Sequence, residues 1–438
     1  MSKNTTANGN GLAISRRRLL KGSATAALLA AAKTVVPGGA NVAWAAGPEV
    51  KGTKLGYIAL TDASPLIIAK EKGLFDKYGL PEMEILKQAS WGATRDNMAL
   101  GTAANGIDGG HILRPKTHLY ATGKVMQNNQ PLPMYTLLNL NEDCQGLSVS
   151  NEYKDLPVGT DSSPLKEAFA KKKAAGKEVK AAMTFPGGTH DLWIRYWLAA
   201  GGIDPDKDIQ TIVVPPPQMV ANMKVGNMDC FCVGEPWNEQ LVNQDIGFTA
   251  ATTGEIWFKH PEKVLGMRAD WVDKNPKATL AILMAVMEAQ MWCEKMENKA
   301  EMAEIVGKRQ WFNVPVADII GRIKGDINYG RGKVAKGTNL GMKFWGEKGE
   351  VSYPWKSLDT WFITENMRWG KFAPDTDIKA LVDKTNRSDL WLEAAKGLSL
   401  KDMPSGDSRG VEKFFDGKVF DPADPQGYLK SLGIKRVA

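Results

Sequence analysis

The stretch Thr184-Phe185-Pro186-Gly187-Gly188-Thr189-His190 has the make-up of a strand-to-helix turn that can hold an anion. Its two glycines allow close backbone approach, and the helix start behind them offers free N–H groups and a positive dipole end. His190, in the first helical turn, adds a side-chain donor. Pro-Gly-Gly is also an ordinary loop sequence, so this stretch alone does not separate a binding turn from a plain one. Cys230 and Cys232 share one face of a strand, as a metal pair would. The four histidines, His111, His118, His190 and His260, supply no partner to them at helical or finger spacing. Cys144, Cys230, Cys232 and Cys293 form no disulfide framework for a chain of this size, and structural thiols are expected. There is no nucleophile elbow, P-loop or metal motif.

The elements needed to position such a turn alternate along the chain, the mark of an α/β fold, and mainly parallel sheets are expected. Strands are read at 54–61, 83–87 and 106–113, with helices at 64–78 and 94–100 between them. Ser64 is placed as cap, Pro65 at the first helical position and Gly79 as the stop. A second series follows, with strands at 146–150, 180–185, 211–214 and 229–234. Its helices are a basic one at 165–177, another at 190–200 and a short one at 218–225. The 190–200 helix carries a wide apolar stripe and an Asp191–Arg195 pair at i,i+4. From about Asn275 the chain turns helical; residues 310–438 are less regular, with tryptophans scattered among Gly and Pro.

The whole-chain charge of +7 belongs to the N-terminus: residues 1–45 hold six basic residues and no acidic one, leaving +1. A near-neutral remainder argues against a nucleic-acid partner. Ser15-Arg16-Arg17-Arg18-Leu19-Leu20-Lys21, the small apolar stretch 22–32 and Ala43-Trp44-Ala45 read in order as a twin-arginine signal, its apolar segment and a cleavage site. No cysteine sits near that site, so a free periplasmic product without a lipid anchor is expected. The strongest later apolar run, Leu280 to Met287, is far shorter than the roughly 20 residues a spanning helix needs. It reads as a core helix opened by Asn275-Pro276.

Several stretches in one order resemble the nitrate and bicarbonate binding proteins of ABC transporters. They are Leu55 to Pro65, Ala69 to Phe75, Ser90 to Asp96, Gly106 to His111, the Pro186–His190 turn, Val233-Gly234-Glu235-Pro236-Trp237 and His260-Pro261-Glu262-Lys263. The resemblance implies a type II periplasmic binding protein-like α/β fold: a two-lobed C-clamp with a ligand cleft and a C-terminal extension. The corresponding division is 1–45 signal peptide, 50–140 first part of lobe 1, 141–255 lobe 2, 256–310 return to lobe 1, and 311–438 an extension packed on the lobes. It further implies cleft residues at Trp91, Gln145, His190, Gly234 and Lys263, with Pro216, Val233 and Glu235 nearby.

In that set Lys263 would balance the anion's charge. Gln145, His190 and the Gly234 backbone would donate hydrogen bonds, and Trp91 would cover one face and donate through its indole N–H. Bicarbonate binders of the family carry an acidic residue at the Lys263 position and use calcium. A lysine there repels a hard cation, so nitrate, with nitrite, is expected and no metal or other cofactor. The expected partner is the permease of an ABC transporter, and the expected state a monomer. Bicarbonate or an alkylsulfonate is the alternative ligand, though a bulky sulfonate would need more room than His190 and Trp91 leave. An enzyme on the same fold, with Cys230, Cys232 and His190 as suspects, is the alternative class.

Overall fold

The computed structural model describes residues 47–436, so the signal sequence read at 1–45 lies outside the described residues. The strands are β1 (Lys54–Tyr57), β2 (Glu84–Lys87), β3 (Gly109–Leu113), β4 (Met134–Asn139), β5 (Gln145–Ser150), β6 (Lys180–Met183), β7 (Gln210–Val213), β8 (Cys230–Gly234), β9 (Gly247–Thr252) and β10 (Lys263–Arg268). They form two five-stranded sheets, ordered β2-β1-β3-β10-β4 and β7-β6-β8-β5-β9. Two short further hairpins, 327–335 and 412–420, lie in the C-terminal region.

The expectation of mainly parallel sheets is corrected. In each sheet three neighbouring strands run parallel, β1, β2, β3 and β6, β7, β8; one strand, β10 or β5, runs against them, and the edge strand beside it, β4 or β9, pairs antiparallel with that reversed strand. The cause is the way the chain changes sheet. β4 and β9 end at the same edge as the three parallel strands and each passes there to the other sheet, so β5 and β10 start at that edge and run back the opposite way. The two connections touch each other through a bridge between Glu142 and Pro261.

The helices that matter for the site are α1 (Ser64–Glu71), α2 (Trp91–Leu100), α3 (Lys116–Ala121), α4 (Thr189–Ala200), α5 (Pro276–Glu294), α6 (Ala317–Lys324) and α7 (Lys356–Arg368). The single helix expected over 64–78 is two, because Gly73 takes a left-handed φ of 66° and ends the first at the Lys72 C-cap. Ser64 is the first helical residue and not the cap; its hydroxyl donates back to the Thr61 carbonyl at 2.6 Å. α5 starts at Pro276 after Asn275, and the whole 280–287 run is buried. No helix among the described residues is long and apolar enough to cross a membrane.

α4 is buried on every side, beyond the one-sided stripe its sequence suggests: Leu192, Trp193, Ile194, Tyr196, Trp197 and Leu198 are all covered. The C-terminal region supplies the second cover. Trp361 of α7 stacks on Trp193 with ring centroids 5.2 Å apart, and lies 4.9 Å from Trp257 and 5.5 Å from Phe414. The same helix reaches the first sheet's connections: Asp359 accepts from Arg114 Nε at 2.7 Å, and Asn386 Nδ2 donates to Asp359 Oδ2 at 2.7 Å. Of the scattered tryptophans of this irregular region, Trp311, Trp345, Trp361, Trp369 and Trp391 are therefore buried core residues, and Trp355 is half-buried beside them.

Candidate anion-binding site

The six parallel strands deliver residues to one edge of the two sheets. Asp62 follows β1, Trp91 follows β2 and Lys116 follows β3; His190 follows β6, Pro216 follows β7, and Gly234 ends β8. The antiparallel strands begin at the same edge, since Lys263 is paired with Leu113 at the end of β3 and Gln145 with Gly234 at the end of β8. Carboxyl ends of strands in α/β sheets are where ligands bind, because the helices that follow start there and present free N–H groups.

Lys263 is the centre of a fully buried cluster. Its Nζ donates to Glu262 Oε1 at 2.8 Å and Asp62 Oδ2 at 2.9 Å, and lies 3.5 Å from Gln145 Oε1 and from His190 Nε2. Gln145 Nε2 donates to Asp62 Oδ2 at 3.2 Å. His190 Nε2–H donates to Gln145 Oε1 at 3.0 Å, while the Thr184 hydroxyl donates to Nδ1 at 2.6 Å, which fixes one neutral tautomer. Glu262 also accepts from Trp193 Nε1 at 2.9 Å and from the Thr189 hydroxyl, so the first turn of α4 holds it. On the first sheet, His111 Nε2 meets Asp62 Oδ1 at 2.6 Å, and the Trp91 ring lies 5.4 Å from that of His111.

Burial and charge pull against each other here. Burial acts to raise the Asp62 carboxyl, but Lys263 and His111 outweigh it and hold Asp62 well below the usual range. Burial disfavours the Lys263 ammonium, yet Asp62 and Glu262 raise it above the ordinary lysine value. Burial, helped by Lys263, drops His190 to about 3, so it is neutral at neutral pH. Burial also lowers His111, against the pull of Asp62.

Of the residues expected from sequence, Gln145, His190 and Lys263 therefore meet directly. Gly234 lies against them: a Cβ there would stand 2.5 Å from Gln145 Oε1. Trp91 joins through His111, and its indole Nε1 is buried without a partner. Val233 is buried in β8, with its carbonyl accepting from Asn238 Nδ2 at 2.9 Å. Pro216 is buried at the start of a short turn after β7. Glu235 joins only through its backbone, whose oxygen accepts from Thr61 N at 2.7 Å. Its carboxylate pairs instead with Arg322 of α6 at 3.0 Å, and burial, against the pull of Arg322, raises it to about 7.

Asp62, Glu262 and His111 are the site residues that the implied set omits. Each lies inside a stretch that carries the resemblance, but a single Asp, Glu or His in a turn or strand has no periodicity to flag it. Lys263 is correspondingly not an unpaired cation: it is already held by two carboxylates. The cysteines are all buried and unpaired, and no group of three or more His, Cys, Asp or Glu among the described residues is placed to hold a metal ion.

The NMT1-like family profile matches residues 46–307. The nitrate/nitrite binding protein NrtA of Synechocystis sp. is 59% identical over 393 residues, which cover 89% of this chain and 86% of that protein. The bicarbonate-binding protein CmpA of Synechococcus elongatus is 47% identical over 405 residues, covering 90% of each. The crystal structure of the periplasmic nitrate-binding protein NrtA from Synechocystis superposes with a TM-score of 0.86, covering 89% of this chain and all of that one. With two mixed α/β sheets meeting at a buried polar cluster, and with this likeness over nearly all the described residues, the chain belongs to the NMT1-like family and has the two-lobed fold of periplasmic binding proteins.

Proposed function

We propose that the protein captures nitrate, and nitrite with it, between its two sheets and delivers it to the permease of an ABC transporter. The observation that carries this reading is the buried cluster in which the Lys263 ammonium, the His190 imidazole and the Gln145 amide converge within 3.5 Å. A planar anion with three acceptor oxygens asks for such a set of donors, in a dry setting where each contact is strengthened. The relatives that bind nitrate are over half identical to this chain. The protein is a binding protein and not an enzyme.

The remaining parts follow the same reading. Residues 50–140 and 256–310 act as one lobe around the first sheet, and 141–255 as the other. The paired connections near Glu142 and Pro261 serve as the hinge. Residues 1–45 direct twin-arginine export, and the product is a periplasmic monomer without a lipid anchor. Trp91, Pro216, Val233, Gly234 and Glu235 complete the walls, Glu235 through its backbone.

Bicarbonate capture is the second reading, favoured by the two carboxylates of Asp62 and Glu262, which are ligands a calcium ion would use. Lys263 holds both, and a divalent ion would have to displace it. Calorimetric titration with nitrate, nitrite and bicarbonate, with and without calcium, decides between them. Saturable nitrate binding without calcium is expected; bicarbonate binding only with calcium would overturn the nitrate reading.

A further inference from the structure

The cluster that would receive the anion does not have a free positive charge. Asp62 and Glu262 each carry a formal charge of −1, Lys263 carries +1, and His111 and His190 are neutral, which leaves −1 before any anion arrives. All five side chains are 0% exposed, so solvent does not screen them. Adding an anion would double the uncompensated charge in a low-dielectric site, which is strongly unfavourable.

Lys116, which follows β3 and lies against Trp91, is a further buried cation, and it is not turned to this task. Its Nζ donates to the Trp91 carbonyl at 2.9 Å and sits among the faces of Phe185, Trp91 and Tyr120, at 3.9, 4.6 and 5.4 Å from their centroids. Burial holds its charged form well below the usual lysine range.

His111 has the geometry to take up the difference. Its Nε2 lies 2.6 Å from Asp62 Oδ1, and an ionised carboxylate only accepts, so Nε2 carries the hydrogen. Nδ1 is then a buried lone pair, and it has no hydrogen-bond partner; neither has Trp91 Nε1 on the neighbouring ring. Beside an anion, which offers only acceptors, that lone pair is repulsive, whereas an N–H there is a donor. The charged groups that act on His111 are Asp62 on the turn after β1, Lys263 in β10 and Glu262 just before it. The neutral His190 of α4 is also coupled to it.

We propose that the anion enters this site together with one proton, and that His111 accepts the proton at Nδ1 and becomes a binding residue. The proton comes from solvent; one N–H bond forms at Nδ1 while Nε2–H stays on Asp62. The gain is that anion and proton enter as a neutral pair. This inference rests on the nitrate reading and adds a proton linkage to it.

The test is nitrate titration of the purified protein at pH 7 to 9, in buffers of differing protonation enthalpy, with the four histidine imidazoles followed by ¹⁵N NMR. Uptake of about one proton per anion is expected, with affinity falling roughly tenfold per pH unit across that range. The His111 nitrogens should pass from the neutral Nε2–H pattern to imidazolium on saturation. His111→Gln, which keeps a donor for Asp62 but cannot titrate, should bind more weakly at pH 7 and without pH dependence. Nitrate binding without proton uptake, or uptake with His111 still neutral, would overturn the proposal while leaving the nitrate reading intact. No nitrate binding in any buffer would remove the nitrate reading and this inference with it. If His111→Gln does not fold, the spectra of the unsubstituted protein decide.

Discussion

Lys263 and Asp62 are 201 positions apart in sequence, yet Nζ and Oδ2 lie 2.9 Å apart with both side chains fully buried. The pair joins the turn after β1 to the first residue of β10, two strands that both flank β3. Removing the lysine leaves two carboxylates without their cation. Lys263→Glu should therefore cost about 3–5 kcal/mol of stability and abolish nitrate binding. It would also place three carboxylates together, a set that suits calcium. Millimolar calcium should raise the melting temperature of the variant and not that of the unsubstituted protein; thermal unfolding with and without calcium checks it.

Gly234 has no room for a side chain on its cluster side. A Cβ would lie 2.5 Å from Gln145 Oε1 and 3.2 Å from Leu60 Cδ2. Gly234→Ala should push the Gln145 amide out of place and lower anion affinity by 10-fold or more, with an overpacking cost of about 1–3 kcal/mol. Gly92→Ala, whose nearest neighbour is Ser90 Oγ at 3.6 Å, is the comparison and should change affinity little. Paired titrations of the two variants test this.

Asp359 should make stability fall in acid. Burial acts to raise its carboxyl, but Arg114, followed by His118, outweighs burial and holds it at about 2. Since this folded value lies below the unfolded one of 3.8, its contribution is complete above about pH 4 and is lost as pH falls towards 2. Urea unfolding from pH 6 to 2 should show that decline, and Asp359→Asn should flatten it. Arg114→Met, which strands the buried carboxylate, should cost about 3–5 kcal/mol at pH 7.

Trp361 ties the C-terminal region to α4 through its stacking on Trp193. Trp361→Ala should cost about 3–5 kcal/mol through the lost contacts and the cavity left behind. Because Trp193 also donates to Glu262, anion affinity should fall as well. Denaturation and titration of the same variant would show both effects; a loss of stability with affinity unchanged would mean that the extension does not act on the site.

The four thiols should be silent in the folded protein. Cys144, Cys230, Cys232 and Cys293 are all buried, and burial raises each above the usual thiol range, which disfavours the reactive thiolate. A thiol reagent should label none of them until denaturant is added, when all four should react.

The family resemblance implied that Gln145, His190, Gly234 and Lys263 share a cleft; the sequence by itself determined the alternation of strands and helices, the turn before α4 and the core helix after Asn275. These are local properties: capping residues, glycines and apolar spacing act within a few positions. Tertiary structure alone decided the rest. The antiparallel halves of both sheets arise from where the chain crosses over, which no strand pattern records. Asp62, Glu262 and His111 join the site only because β1, β3 and β10 lie side by side. For the same reason the charge on Lys263 is already spoken for, and Glu235 turns its carboxylate away to Arg322. A charge on a residue is written in the sequence; the balance of charge at a site depends on which residues the fold brings within a few ångströms of each other.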